Sequence, residues 1–139
     1  MNIKKFVENV LSDKSNKLQK YSLGKLTSQQ MKQVKEAIGI DLKNYIRVID
    51  SFSIKHILKK HGNAEKEKKR GQIIVTPNDF QKIREILKKP DAISSKGKSK
   101  SGGTTLIEYR KRIVIEYIYI EEKRDRNKEI ITKTMYKRK

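Results

Sequence analysis

The sequence predicts an α+β fold, with helices first and an antiparallel meander last. Two observations carry this. Through residues 1–90, apolar positions recur at helical spacing between capping signals. From Thr104 onward the period changes to two. Helices and strands that segregate along the chain, rather than alternate, mark α+β architecture.

Ile3, Phe6, Val7, Val10 and Leu11 follow helical spacing, and polar Ser12–Lys17 comes after them. Residues 1–20 read as an N-terminal helix or linker segment, docked elsewhere or packed on the main core. Residues 21–139 read as the α+β domain. Thr27 with Gln30 forms a capping box; Met31, Val34 and Ile38 continue that helix, and Gly39 closes it. Tyr45–Ile49 is a short strand with Tyr45, Arg47 and Ile49 on one face and Ile46 and Val48 on the other. Asp50 or Ser51 caps a second helix from Phe52 to about Lys60 with Ile54, Ile57 and Leu58 as its apolar stripe, and His61-Gly62-Asn63 ends it.

Ala64–Arg70 reads as a charged loop and Ile73–Val75 as an extended segment. Thr76–Asp79 opens a third helix, with Pro77 at its first position, where the missing amide hydrogen costs nothing. Its buried face is Phe80, Ile83, Ile86 and Leu87, and Pro90 ends it. Ala92–Ser94 is extended and Lys96–Gly103 is a Gly/Ser/Lys loop. Three strands follow: Thr104–Tyr109, Arg112–Ile120 after a tight turn at Arg110-Lys111, and Lys128–Tyr136 after the polar connection Glu121–Asn127.

Composition narrows the function. The 139 residues contain 35 Lys and Arg against 16 Asp and Glu, a net charge of +19. So large an excess repels itself in the compact state, and a polyanionic partner is its natural explanation; nucleic acid comes first and an anionic membrane surface second. There is no cysteine, which excludes disulfides, thiolate metal sites and cysteine nucleophiles. No apolar run approaches the roughly 20 residues that span a bilayer, and Met1–Val10 lacks the apolar region of a signal peptide. A cytoplasmic location is expected.

His56 and His61 are the only histidines and stand five residues apart at the end of one helix. Imidazole suits proton transfer near neutral pH. Cleaving RNA through its 2′-hydroxyl needs one group to take a proton and another to give one, roles that two imidazoles can fill. Lys55, Lys59 and Lys60 would attract the phosphate. No acidic third ligand sits nearby and the positive charge disfavours a cation, so a metal pair is not expected. In the last strand, alternation places Thr132, Thr134 and Tyr136 on one face, with hydroxyls able to meet phosphate oxygens. Equally, Thr and Tyr are simply good strand residues. The loop Ser94–Gly103, with Lys98 and Lys100, and the nearby Arg110, Lys111 and Arg112 suit phosphate tracking. Tyr109, Tyr117 and Tyr119 offer rings for base stacking, although Tyr117 and Tyr119 share a face with Ile113 and Ile115 and suit a core.

These segments together resemble a known family. Asn44–Asp50 runs into Ile54-Lys55-His56-Ile57-Leu58-Lys59-Lys60-His61-Gly62; Ile73–Phe80, Ile86–Asp91 and a closing Lys133-Thr134-Met135-Tyr136 follow. This order, over about Gly24 to Tyr136, is similar to the phage-associated barnase–EndoU–colicin–RelE-like nucleases, toxin-type modules. The resemblance implies a helical N-terminal part on a curved antiparallel sheet and metal-independent endoribonuclease activity with no cofactor. It implies His56 and His61 as the acid/base pair and Thr134 and Tyr136 as phosphate-orienting groups. It also implies a basic residue from the meander, Arg110 or Lys111. The expected partners are RNA, with tRNA as one candidate, and an acidic immunity protein. A non-catalytic, basic nucleic-acid-binding phage protein is the competing reading.

Overall fold

The apolar positions of the helices meet on one side of a six-stranded sheet. A computed structural model describes residues 1–100 and 102–139; Ser101, within the Lys-rich loop, lies outside the described residues. The elements in chain order are α1 (Ile3–Ser12), β1 (Lys20–Lys25), α2 (Ser28–Ile38), β2 (Ile46–Asp50), α3 (Ser51–His61) and α4 (Ala64–Lys69). A 3-10 helix (Pro77–Lys82) leads into α5 (Ile83–Lys88), then β3 (Ala92–Lys98), β4 (Thr105–Ile113), β5 (Ile115–Arg124) and β6 (Glu129–Arg138). The strand order is β1-β2-β6-β5-β4-β3, antiparallel throughout except for the parallel pair β2–β6. The α+β class is as expected.

Local chemistry accounts for the helix ends. Thr27 and Gln30 exchange capping-box bonds, and Gly39 ends α2 in the left-handed conformation at φ 71°. Asp50 caps α3, its Oδ1 accepting from the Ser53 amide at 2.7 Å. Ile3, Phe6, Val7 and Val10 of α1 join Ile54, Ile57, Phe80, Ile83, Ile86, Tyr109, Tyr119 and Met135 in one buried cluster.

Several elements differ from the sequence expectation. Ala64–Lys69 is helical, capped by Asn63. β1 was not expected; it is an edge strand that exists by pairing with β2. The extended segment at Ala92 runs on to Lys98 because it pairs with β4. Arg110 and Lys111 lie inside β4, and the turn is at Val114, with φ 66° and almost fully exposed. Tyr109, Tyr117 and Tyr119 are all buried, which removes them as stacking surfaces.

The final strand carries the correction that matters most for function. Thr134 pairs with Ile120 and Thr132 with Glu121, so Lys133 is an extra, bulged residue. A bulge shifts the alternation by one. Thr132 therefore faces the core, hydroxyl to hydroxyl with Tyr119, while Thr134 and Tyr136 lie on the other side beside Ile120 and Ile118. The three hydroxyl residues do not share a face.

A buried polar cluster ties the 3-10 helix to the sheet. Asp79 accepts from the Tyr117 hydroxyl at 2.7 Å and pairs with Lys137 Nζ at 2.9 Å. Burial alone would raise the Asp79 carboxyl, but the Thr76 amide, Lys137 and Tyr117 donate to it and hold it below its ordinary value of 3.8. Its stabilisation is thus present above that value and lost as pH falls through the lower folded one. Asp79→Asn is expected to cost about 1–3 kcal/mol at neutral pH by leaving Lys137 poorly paired. It should also flatten the loss of stability below about pH 4. Urea unfolding of both proteins at pH 3 to 7 measures this; parallel pH curves would contradict it.

Candidate active site

The site forms where β2 stops. β2 pairs with β6 only along Glu129–Ile131, which leaves the rest of that edge of β6 without a strand partner from β2. α3, entered directly from β2, packs along it. Ser53 Oγ donates to the Thr132 carbonyl at 2.6 Å, and the Ile73 amide donates to the Lys137 carbonyl at 2.8 Å. The Thr132 and Lys137 carbonyls are thereby satisfied without β2.

Beside this junction lies a cleft of about 350 Å³ lined by Leu18, Asp50, Phe52, Ser53, His56, Glu122, Arg124, Thr132 and Lys133. His56 is exposed in it. Partial desolvation and the nearby charges of Lys60, Lys133, His61 and Lys59 hold its imidazole below the ordinary value of 6.5. Each of these disfavours the added positive charge. His56 is accordingly neutral at pH 7, the form able to accept a proton.

His61 has a different environment. Five residues along a helix turn a side chain by about 140°, so the two histidines occupy different faces of α3. His61 is buried, and its Nδ1 lies 3.0 Å from Oε2 of the fully buried Glu67. Arg70 Nη1 donates to the other Glu67 oxygen at 2.6 Å and to the Lys60 carbonyl at 2.8 Å. The carboxylate keeps the proton on Nδ1 and leaves Nε2 as the nitrogen free to meet a ligand. The ring stacks on Tyr136, with centroids 5.6 Å apart and planes at 27°. Near Tyr136 on β6, Thr134 has a buried hydroxyl oxygen with no hydrogen-bond partner among the described residues. Buried polar atoms are nearly always satisfied, and an orphan invites a ligand.

The structure thus draws His56, His61, Thr134 and Tyr136 to the α3–β6 seam, while Thr132 gives its hydroxyl to the core. Lys59 and Lys60 are exposed on α3. Lys98 lines a second cleft, of about 450 Å³, with Arg126 and Asn127; the two clefts share Glu122 and Arg124 and so adjoin. Lys100 is exposed at the end of that loop. Arg110 is held by Glu108 at 3.0 Å and Lys111 by Asp91 at 3.4 Å, and neither lines these clefts. The meander's basic residues in the first cleft are Arg124 and Lys133, both paired there with Glu122, at 3.3 Å and 3.9 Å. Arg124 sits where the sequence suggests only a polar connection, and Lys133 enters the cleft as the bulged residue. Glu67, inside a run of lysines, had no signal beyond lying six residues after His61.

A family model described as phage-Barnase-EndoU-ColicinE5/D-RelE like nuclease 3 matches residues 24–139. The chain belongs to this nuclease family. The match spans the same stretch, from Gly24 on, that carries the resemblance in the sequence. Comparison with curated proteins and with solved structures finds no match. In this chain the α3–β6 seam is where both histidines stand beside Lys133 and Tyr136. Among the described residues no group of three or more His, Asp or Glu side chains is placed to hold a metal ion, and no helix is long and apolar enough to cross a membrane.

Proposed function

We propose that this nuclease is an endoribonuclease that cleaves RNA by 2′-hydroxyl attack, with His56 as general base and His61 as general acid. Neutral His56 takes the 2′-hydroxyl proton, the 2′-oxygen bonds to phosphorus, and the bond from phosphorus to the 5′-oxygen breaks. Protonated His61 gives its Nε2 proton to that leaving oxygen. The products are a 2′,3′-cyclic phosphate and a free 5′-hydroxyl. Lys133, Arg124 and Lys60 would offset charge gathering on the non-bridging oxygens, and the unpaired Thr134 hydroxyl would orient them.

The observation that carries this reading is the contrast between the two histidines. One is exposed in the cleft, its pKa lowered by partial desolvation and the cations around it, and the other is buried with its Nδ1 held by the Glu67 carboxylate. A net charge of +19 favours a polyanionic substrate. The same basic surface would suit an acidic neutralising protein. Incubation of the chain with total RNA in EDTA tests the reading, with the 3′ ends of the products characterised. Cyclic phosphate ends formed in EDTA are expected. Intact RNA that is nonetheless bound in a salt-sensitive way would favour the non-catalytic binding protein instead.

A further inference from the structure

We infer that Phe52 is the platform on which a nucleobase of the substrate stacks, next to the proton-transfer site; this rests on the ribonuclease reading above. The chain has three phenylalanines. Phe6 and Phe80 are core residues at 5% and 0% exposure, whereas Phe52 is 51% exposed. α3 buries Ile54 and Ile57 toward the core, and Phe52 takes no part in that stripe. A single exposed apolar residue is ordinary. Phe52 is distinguished by its neighbours.

It lines the same cleft as His56, as does Leu18, itself 46% exposed. Phe52, His56 and Lys60 are spaced i, i+4, i+8, so they stand in one row along α3, about 6 Å from each to the next. That row presents an aromatic face, a neutral imidazole and a cation in sequence. A nucleotide presents the matching series: a flat base, a ribose hydroxyl and a phosphate. Lys133 and Arg124, on β6 and β5, line the same cleft and share one carboxylate, Glu122, between them, which leaves that wall net positive. A cleft of about 350 Å³ is in the range that holds a small ligand. Aromatic stacking tolerates any base, so the platform would position a nucleotide without by itself dictating sequence.

The chain contains no tryptophan, so Phe52→Trp adds a single indole reporter at this place. Its fluorescence would be followed against two probes: a short 2′-O-methyl oligonucleotide, which cannot be cleaved by 2′-hydroxyl attack, and an abasic oligonucleotide of equal length and charge. Saturable quenching by the first but not the second is the expected result. Phe52→Ala should weaken binding of the base-bearing probe by about tenfold to a hundredfold and leave the abasic probe unaffected. Binding without quenching, or equal quenching by both probes, would overturn the inference. Quenching by a chain that cleaves no RNA would uphold the platform and overturn the catalytic reading, whereas cleavage without quenching would do the reverse. Failure of the unsubstituted chain to bind either probe overturns both.

Discussion

His56→Ala and His61→Gln are each expected to lower the rate of RNA cleavage by about 10²–10⁴-fold, the usual worth of a positioned acid or base. Binding of an uncleavable RNA should change little, because neither ring carries the charge that dominates phosphate affinity. His56 is exposed and makes no hydrogen bond to the rest of the chain among the described residues, so its replacement by alanine tests chemistry rather than folding. His61 is buried against Glu67, and alanine there would leave a buried carboxylate with only Arg70. Glutamine keeps an amide donor near Glu67 but cannot shuttle a proton.

The pH profile separates the two roles. If neutral His56 is the base, activity falls as acid protonates it, with the midpoint of that limb below pH 6.5. Lys133 and Lys60 help depress its pKa. Removing either cation raises the pKa, so Lys133→Ala should move the acidic limb to higher pH, and Lys60→Ala likewise. Added salt screens the same charges and should shift it in the same direction. Unchanged activity in both histidine variants, or a limb that ignores Lys133, would refute the assignment.

The second large effect concerns stability. Arg47 and Glu121 face one another in the core, Nε to Oε2 at 2.8 Å, and Arg47 Nη2 donates to the Tyr109 hydroxyl at 2.9 Å. Both residues are almost completely buried. Glu121 and the neighbouring tyrosines hold the guanidinium firmly charged, more than offsetting its own desolvation. The Glu121 carboxyl is nevertheless raised, because complete burial outweighs the pairing. The two partners point in opposite directions, and the full burial of the carboxylate makes its desolvation the dominant cost. The pair then adds little net stability, but breaking it strands a charge in the core. Glu121→Ala should cost about 3–5 kcal/mol, and so should Arg47→Ala. Replacing both together, Arg47→Met with Glu121→Leu, should recover most of that loss. Urea unfolding of the singles and the double decides this. A single variant that loses under about 1 kcal/mol would mean that water reaches the orphaned charge.

The sequence by itself determined those features that depend on a few neighbouring residues. The capping box at Thr27 and Gln30, the Gly39 stop, the Asp50 cap and the stripe of Ile54, Ile57 and Leu58 each rest on hydrogen bonds or spacing within a turn or two. The family was legible for the same reason, since its motifs are short contiguous runs. Local signals also placed both histidines on α3, and their spacing of five sets them on different faces; what each face meets, the open cleft or the buried Glu67, is not local.

Only the tertiary structure decided the rest. β1 is a strand because β2 offers an edge, not because Lys20–Lys25 alternates well. Val114 turns the chain at a positive φ that a β-branched residue disfavours, since the register of β4 with β5 requires a reversal there. The bulge at Lys133 is set by β5 across the sheet; it reverses the faces of Thr132 and Thr134 and turns Lys133 into the cleft. Phe52, Glu122, Arg124 and Lys133 are brought together across some eighty positions of chain by packing alone. Propensity and periodicity act over a turn of helix or a few residues of strand. Register and the edge that α3 covers are set by contacts between distant segments, and they place the chemistry.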